Sequence, residues 1–134
     1  DVEWAITTSI TSIEEDRNEP DLIDSAQMEM IADLAVKQGS AVVCEDSTRR
    51  VGLLGGLILP NPLCPSKSVL TSVLWYVHPE YRRGRVPCLL LREYARLHPD
   101  GDVLLSIPTR SHIKEASLVR LGWELVEKQY KIRK

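Results

Sequence analysis

The stretch Tyr81-Arg82-Arg83-Gly84-Arg85 gathers three arginines around one glycine, between an apolar run that ends at Val77 and a leucine-rich run that opens near Pro87. The chemistry such a cluster can do is anion holding. The first turn of a helix offers unpaired backbone N–H groups and the positive end of the helix dipole, and guanidinium groups add charge-assisted bonds to phosphate oxygens. The competing reading is a solvated basic loop with no ligand. Which holds depends on the elements that carry the cluster.

Residues 68–77, Ser-Val-Leu-Thr-Ser-Val-Leu-Trp-Tyr-Val, are too continuously apolar for a strand with one wet face, so they predict a strand at the centre of a sheet. Pro87 suits the first position of a helix, and Leu89, Leu90, Leu91, Tyr94, Ala95 and Leu97 cover most of that helix's circumference. His98-Pro99-Asp100-Gly101-Asp102 then turns the chain into a short buried strand over residues 103–108. Strand, helix and strand in that order predict a crossover with the two strands parallel. The arginines therefore fall at the carboxyl edge of a parallel pair, where α/β proteins place ligands.

The flanks are read from their periods. Val2, Ile6, Ile10 and Ile13 recur at helical spacing, and that first helix stops before Pro20. Asp24 and Gln27 form a capping box for a second helix, Met28, Ile31 and Ala35 share its core face, and Gly39 ends it. Residues 40–46 and 51–59 flank the polar turn Ser47-Thr48-Arg49-Arg50 as a hairpin, in which Gly52, Gly55 and Gly56 mark a bulge or a close backbone approach. Pro60, Pro62 and Pro65 make residues 60–67 a loop. Residues 111–122 read as a last helix ended by Gly122, and residues 123–133 as a last strand.

Composition limits the functions. With 134 residues, 43% of them hydrophobic, the chain is the size of one domain, so residues 1–134 are read as a single unit able to bury a core. A net charge of −2 and a pI near 5.9 argue against a dedicated nucleic-acid binder. There is no apolar run long enough for a membrane span and no signal-like start, so the expected location is cytoplasmic. Cys44, Cys64 and Cys88 are odd in number and far apart, which predicts buried free thiols and no metal site.

Taken in order, these elements resemble the GNAT acetyltransferase family. Val77, Pro79, Glu80 and Arg82 match its V-x-P-E-x-R pattern, which precedes an R/Q-x-x-G-x-G/A turn. Leu121-Gly122-Trp123 is similar to the junction between the family's closing helix and strand, and the tail that follows is similar to the V-E-x-x-Y-x-K tail of phage and prophage members. The resemblance spans residues 25–134 and implies an α/β fold, a central mixed β-sheet with helices on both faces. Family members begin with a strand that has no counterpart here, so the expectation is a trimmed or divergent start.

The resemblance implies acetyl-CoA as cosubstrate and an amine, small molecule or protein, as acceptor. The backbone of Trp75, Tyr76 and Val77 would pair with the pantetheine arm, and Arg82, Arg83, Gly84, Arg85, Val86 and Cys88 would hold the pyrophosphate. Two registers of the turn stay open. In one, Arg82 opens the motif and Arg85 and Pro87 stand at its glycine positions; in the other, Gly84 is the motif glycine and Tyr81 opens it. For proton transfer, the family's strand glutamate corresponds to Ser72 and its helix tyrosine to Leu118, which leaves Tyr130, His112, Ser72 and, less directly, His78 as candidates. A degenerate module of the same fold, self-associated or bound in a phage particle, is the alternative function, and nucleic-acid or phosphoprotein binding through the arginine loop is the third.

Overall fold

The computed structural model describes Trp4, residues 24–108 and residues 111–132. The expected first helix over Val2, Ile6, Ile10 and Ile13 lies outside these residues; only Trp4 is described there, and it is helical.

Helix α1, Ser25–Gln38, forms as its caps dictate. Asp24 is its N-cap and accepts the Gln27 N–H at 3.1 Å, while Gly39, at φ 66°, closes the other end with its N–H on Ala35 and Val36 carbonyls. The chain then enters strand β1, Ala41–Asp46, turns at Ser47 and Thr48, and returns as β2, Arg49–Asn61. Strand β3 is Cys64–Val77, helix α2 is Val86–Ala95, β4 is Asp102–Leu104 and α3 is Glu115–Arg120. The sheet runs β1-β2-β3-β4, antiparallel at the first two junctions and parallel between β3 and β4. It is the expected mixed sheet with β3 inside it and a parallel crossover through α2.

Among the described residues α1 packs on one face and α2 on the other, with Leu118 of α3 added to the α2 side and Trp4 to the α1 side. Met28 and Ala32 of α1 meet Leu53 and Leu74, and Val86, Leu90, Leu91 and Tyr94 of α2 meet Val51, Leu54, Leu70, Trp75 and Val77. Burying side chains of this size stabilises by about 1.5–3 kcal/mol each, so the α2 face is the larger share of the core.

Gly56 is where backbone must come closest. A Cβ there would lie 2.1 Å from the Thr71 carbonyl oxygen and 2.7 Å from Tyr94 Oη. On its other side the Gly56 N–H donates to Ser40 O, and the buried Ser40 hydroxyl returns a bond to Gly56 O at 2.6 Å. The register slips here: Gly55 faces Leu74 but Gly56 faces Ser72, so Val73 is an extra residue on β3. The expected irregularity at Gly55 and Gly56 is thus present, with the extra residue on the facing strand.

Four expectations are corrected. Residues 60–67 are not a loop but the end of a β-hairpin, turned at Pro62 and Leu63 with Asn61 Oδ1 accepting the Leu63 N–H. Pro65 is tolerated because the register jumps from Pro60↔Ser68 to Asn61↔Cys64, which takes it out of the ladder, and Pro62 because it lies in the turn. Strand β4 is shorter than expected and half exposed, because it lies at the sheet's edge. Pro87 is the second residue of α2, which opens at Val86. Residues 123–132 form no strand: Leu125, Val126, Tyr130 and Ile132 are all exposed, and alternation decides only which face of a strand would be apolar, not whether an edge pairs with it.

Candidate functional site

The two edges of β3 part company halfway along it. Toward β2 the ladder continues to Gly52↔Val77. Toward β4 it covers only Val69↔Asp102, Leu70↔Val103 and Thr71↔Leu104. Beyond Thr71 the main-chain groups of β3 on this side have no strand partner among the described residues. The side chain of Ser72 marks the parting: its Oγ accepts the Ser106 N–H at 2.8 Å, taking the place of the next ladder bond. Three residues further, the Trp75 ring stacks on His112 of the segment before α3, with centroids 6.5 Å apart and planes 19° from parallel. The parting of β3 from the segment after β4 thus runs from Ser72 along Trp75, Tyr76 and Val77, a slot in the ladder rather than an open cavity, since the Trp75 ring is buried and the His112 ring lies on it.

The slot leads to the arginine loop. After Val77 the chain makes a 3-10 turn, Pro79–Tyr81, and reaches α2 with Arg85 as N-cap. Arg82 is turned inward, and its Nε donates to Val77 O at 2.8 Å, fixing the course of the loop. Arg83, Gly84 and Arg85 are exposed, and Val86 and Pro87 are buried. The first turn of α2 contributes the N–H groups of Val86 and Cys88, while Pro87 between them has none to give. Arg85 adopts ordinary helical backbone angles and Gly84 has no positive φ, so neither motif register demands glycine for conformation here. A Cβ on Gly84 would meet only Tyr81 O at 3.8 Å, an ordinary contact. Space at Gly84 is therefore free on the outside of the loop.

What the sequence does not announce is how the loop is held from the opposite hairpin. Tyr81 Oη donates to Asp46 Oδ2 at 2.5 Å, Arg49 reaches His78 Nε2 at 2.6 Å, and Arg49 pairs with Glu80 at 3.7 Å. The bond to Asp46 pushes the Tyr81 phenol above its ordinary pKa, with partial desolvation and the Asp46 charge adding to it. The other ring nitrogen of His78, Nδ1, lies 3.3 Å from the Glu80 backbone nitrogen at the start of the 3-10 turn, and because a neutral imidazole accepts at one nitrogen only, the two contacts compete for its tautomer. Its ring is thus engaged in structure. The only sequence trace of this clamp is that Asp46 and Arg49 flank the tight turn of β1 and β2, which antiparallel pairing delivers to the end of β3.

Of the residues expected to carry protons, Ser72 and His112 both flank the slot. Tyr130 does not join them; it is 90% exposed on the extended tail. Leu118 packs on the α2 core. Cys44, Cys64 and Cys88 are free thiols but half-buried rather than buried, and desolvation by burial, helped by Asp46 and Glu45, pushes the Cys44 thiol up. Among the described residues no helix is long and apolar enough to cross a membrane.

No family model matches the sequence, and no curated protein does. Solved structures do match its shape. An acetyltransferase from Trypanosoma brucei aligns with a TM-score of 0.65 at 18% identity, covering 98% of this chain and 94% of that one. A GCN5-related N-acetyltransferase from Ralstonia eutropha aligns at 0.65 and 15% identity, covering 99% and 92%. An aminoglycoside N-acetyltransferase in complex with CoA aligns at 0.67 and 13% identity, covering 98% and 90%. At these identities the likeness is one of fold, and the fold of this chain is that of the GNAT acetyltransferases.

Proposed function

We propose that the chain is an N-acetyltransferase that takes acetyl-CoA as cosubstrate and an amine as acceptor. The observation that carries this reading is the one-sided ending of β3. An open strand edge from Trp75 to Val77 runs into the exposed Arg83 and Arg85 and the amino end of α2, so a donor for an extended amide arm and a cradle for a phosphate lie in line. That a structural neighbour holds CoA supports the choice of ligand.

In this reading the backbone of Trp75, Tyr76 and Val77 binds the pantetheine arm as a strand would. Arg83 and Arg85, with the N–H groups of Val86 and Cys88, hold the pyrophosphate, and Gly84 lets the main chain approach it. Arg82 keeps its bond to Val77 O and shapes the loop. Acetyl-CoA supplies an acyl thioester, whose carbon takes the amine's lone pair while the sulfur leaves with the electrons of the broken bond. The chain's own share is positioning and proton handling, worth about 10²- to 10⁴-fold for the latter. His112, on the segment that faces Trp75, is the side chain suited to taking the amine's proton, since a neutral imidazole has one nitrogen that accepts. Ser72 keeps a hydroxyl proton to donate while its Oγ accepts from Ser106. Tyr130 acts only if the tail folds back over the slot.

The test is release of free thiol from acetyl-CoA in the presence of an amine panel: a polyamine, an aminoglycoside and a lysine peptide. Release that requires both protein and amine is expected, and His112→Ala should lower kcat at least tenfold with KM for acetyl-CoA little changed. No amine-dependent release with any acceptor removes the transferase reading.

A further inference from the structure

The Trp75 side chain carries a donor that no described residue accepts. Trp75 is 8% exposed and its indole Nε1 is buried with no hydrogen-bond partner among the described residues. Indole N–H groups normally find an acceptor when buried, and leaving one unmade costs about 1–3 kcal/mol. Packing alone does not require that donor. Its neighbours in the core, Leu54, Leu70, Val77, Leu90 and Leu91, are hydrocarbons, among which phenylalanine would bury comparable surface without the cost.

The position of this donor is specific. Trp75 lies on β3 beyond the last rung of the parallel ladder, and its ring reaches across the parting to stack on His112. It therefore sits between the core and the parting, on the strand whose backbone edge loses its partner just before it. Indole is a donor only, so what completes it is an acceptor oxygen. Nε1 is closed to solvent as well as unpaired among the described residues, and the His112 ring stacked on the indole lies outside the sheet ladder.

We infer that the indole N–H of Trp75 donates to a carbonyl oxygen of the acyl donor's amide arm, so that Trp75 binds the arm by side chain as well as by backbone and releases its stack on His112 as the arm enters. This rests on the acetyl-CoA reading above. It separates the arm from the phosphates: the arginine loop recognises the anion, and Trp75 senses whether an amide-bearing arm is attached.

The indole N–H resonances of the three tryptophans, with Trp4 and Trp123 identified through Trp4→Phe and Trp123→Phe, read this directly in the wild-type protein. Acetyl-CoA should move the Trp75 resonance downfield, whereas 3′-phosphoadenosine 5′-diphosphate, which carries the phosphates without the arm, should leave it in place. Calorimetry alongside should show Trp75→Phe weakening acetyl-CoA about tenfold while binding the nucleotide alone as wild type does. If acetyl-CoA binds and the Trp75 resonance stays put, or if the armless nucleotide moves it equally, the inference is overturned and the acetyl-CoA reading stands. If wild type gives no heat with acetyl-CoA, that reading falls and the inference falls with it.

Discussion

The two edges of β3 are built to opposite specifications. On the β2 side every feature serves closure: a long antiparallel ladder, a glycine pressed against Thr71 and Tyr94, and Gln38 of α1 bonding both the N–H and the carbonyl of Ile58 where β1 no longer reaches. On the β4 side the ladder stops at Thr71↔Leu104, one serine hydroxyl bridges the gap, and the rest of the edge is left to the slot. Closure on one edge makes openness on the other affordable. Substitutions should accordingly divide into those that cost stability and those that cost only binding.

The sharpest break on the closed edge is Gly56→Ala. With Thr71 O at 2.1 Å from the new Cβ, backbone must move, and the loss should be about 3 kcal/mol or more, seen as a lower urea midpoint. The matched change on the open side is Gly84→Ala, whose Cβ meets nothing closer than 3.8 Å. It should leave the unfolding free energy within about 0.5 kcal/mol of wild type and still weaken CoA binding, because the backbone approach to phosphate is what it blocks. Equal stability losses in both would erase the contrast.

Arg83→Glu or Arg85→Glu should follow, each weakening CoA more than tenfold without loss of stability, since both side chains are exposed. Raising salt should weaken the wild type in the same direction. A smaller effect comes from the clamp. The folded-state pKa of Tyr81 is raised, so the contribution of its bond to Asp46 is present at neutral pH, below the ordinary tyrosine range, and is lost as pH rises through the raised value. Tyr81→Phe should therefore be slightly less stable than wild type at neutral pH, with the gap closing in strong alkali in paired melts.

Much of the closed edge was legible in the sequence, because local chemistry decides it. Asp24, Gln27 and Gly39 state where α1 starts and stops, and a continuous apolar run can only be an interior strand. The bulge was legible only through its partner: Val73 sits unmarked in an apolar run, while Gly55 and Gly56 opposite it betray the slip. Pro62 and Pro65 misled because one sits in the turn and a register jump takes the other out of the ladder, while Pro60 still pairs with Ser68. The tail misled for the converse reason, since Val126 and Ile132 alternate as a strand would while nothing among the described residues pairs with them. The open edge was legible as a position, the carboxyl end of a parallel pair, but the Tyr81–Asp46 clamp and the Trp75–His112 stack join residues far apart in sequence.

The central claim is that the open edge of β3 and the loop after it together bind acetyl-CoA. Isothermal titration of the wild-type protein with acetyl-CoA, repeated with Arg83→Glu, tests it most directly. The account predicts one site per chain, tighter than about 1 mM, the upper end of ordinary enzyme substrate constants, with the variant more than tenfold weaker. No heat at millimolar acetyl-CoA, or equal binding by wild type and Arg83→Glu, would contradict it.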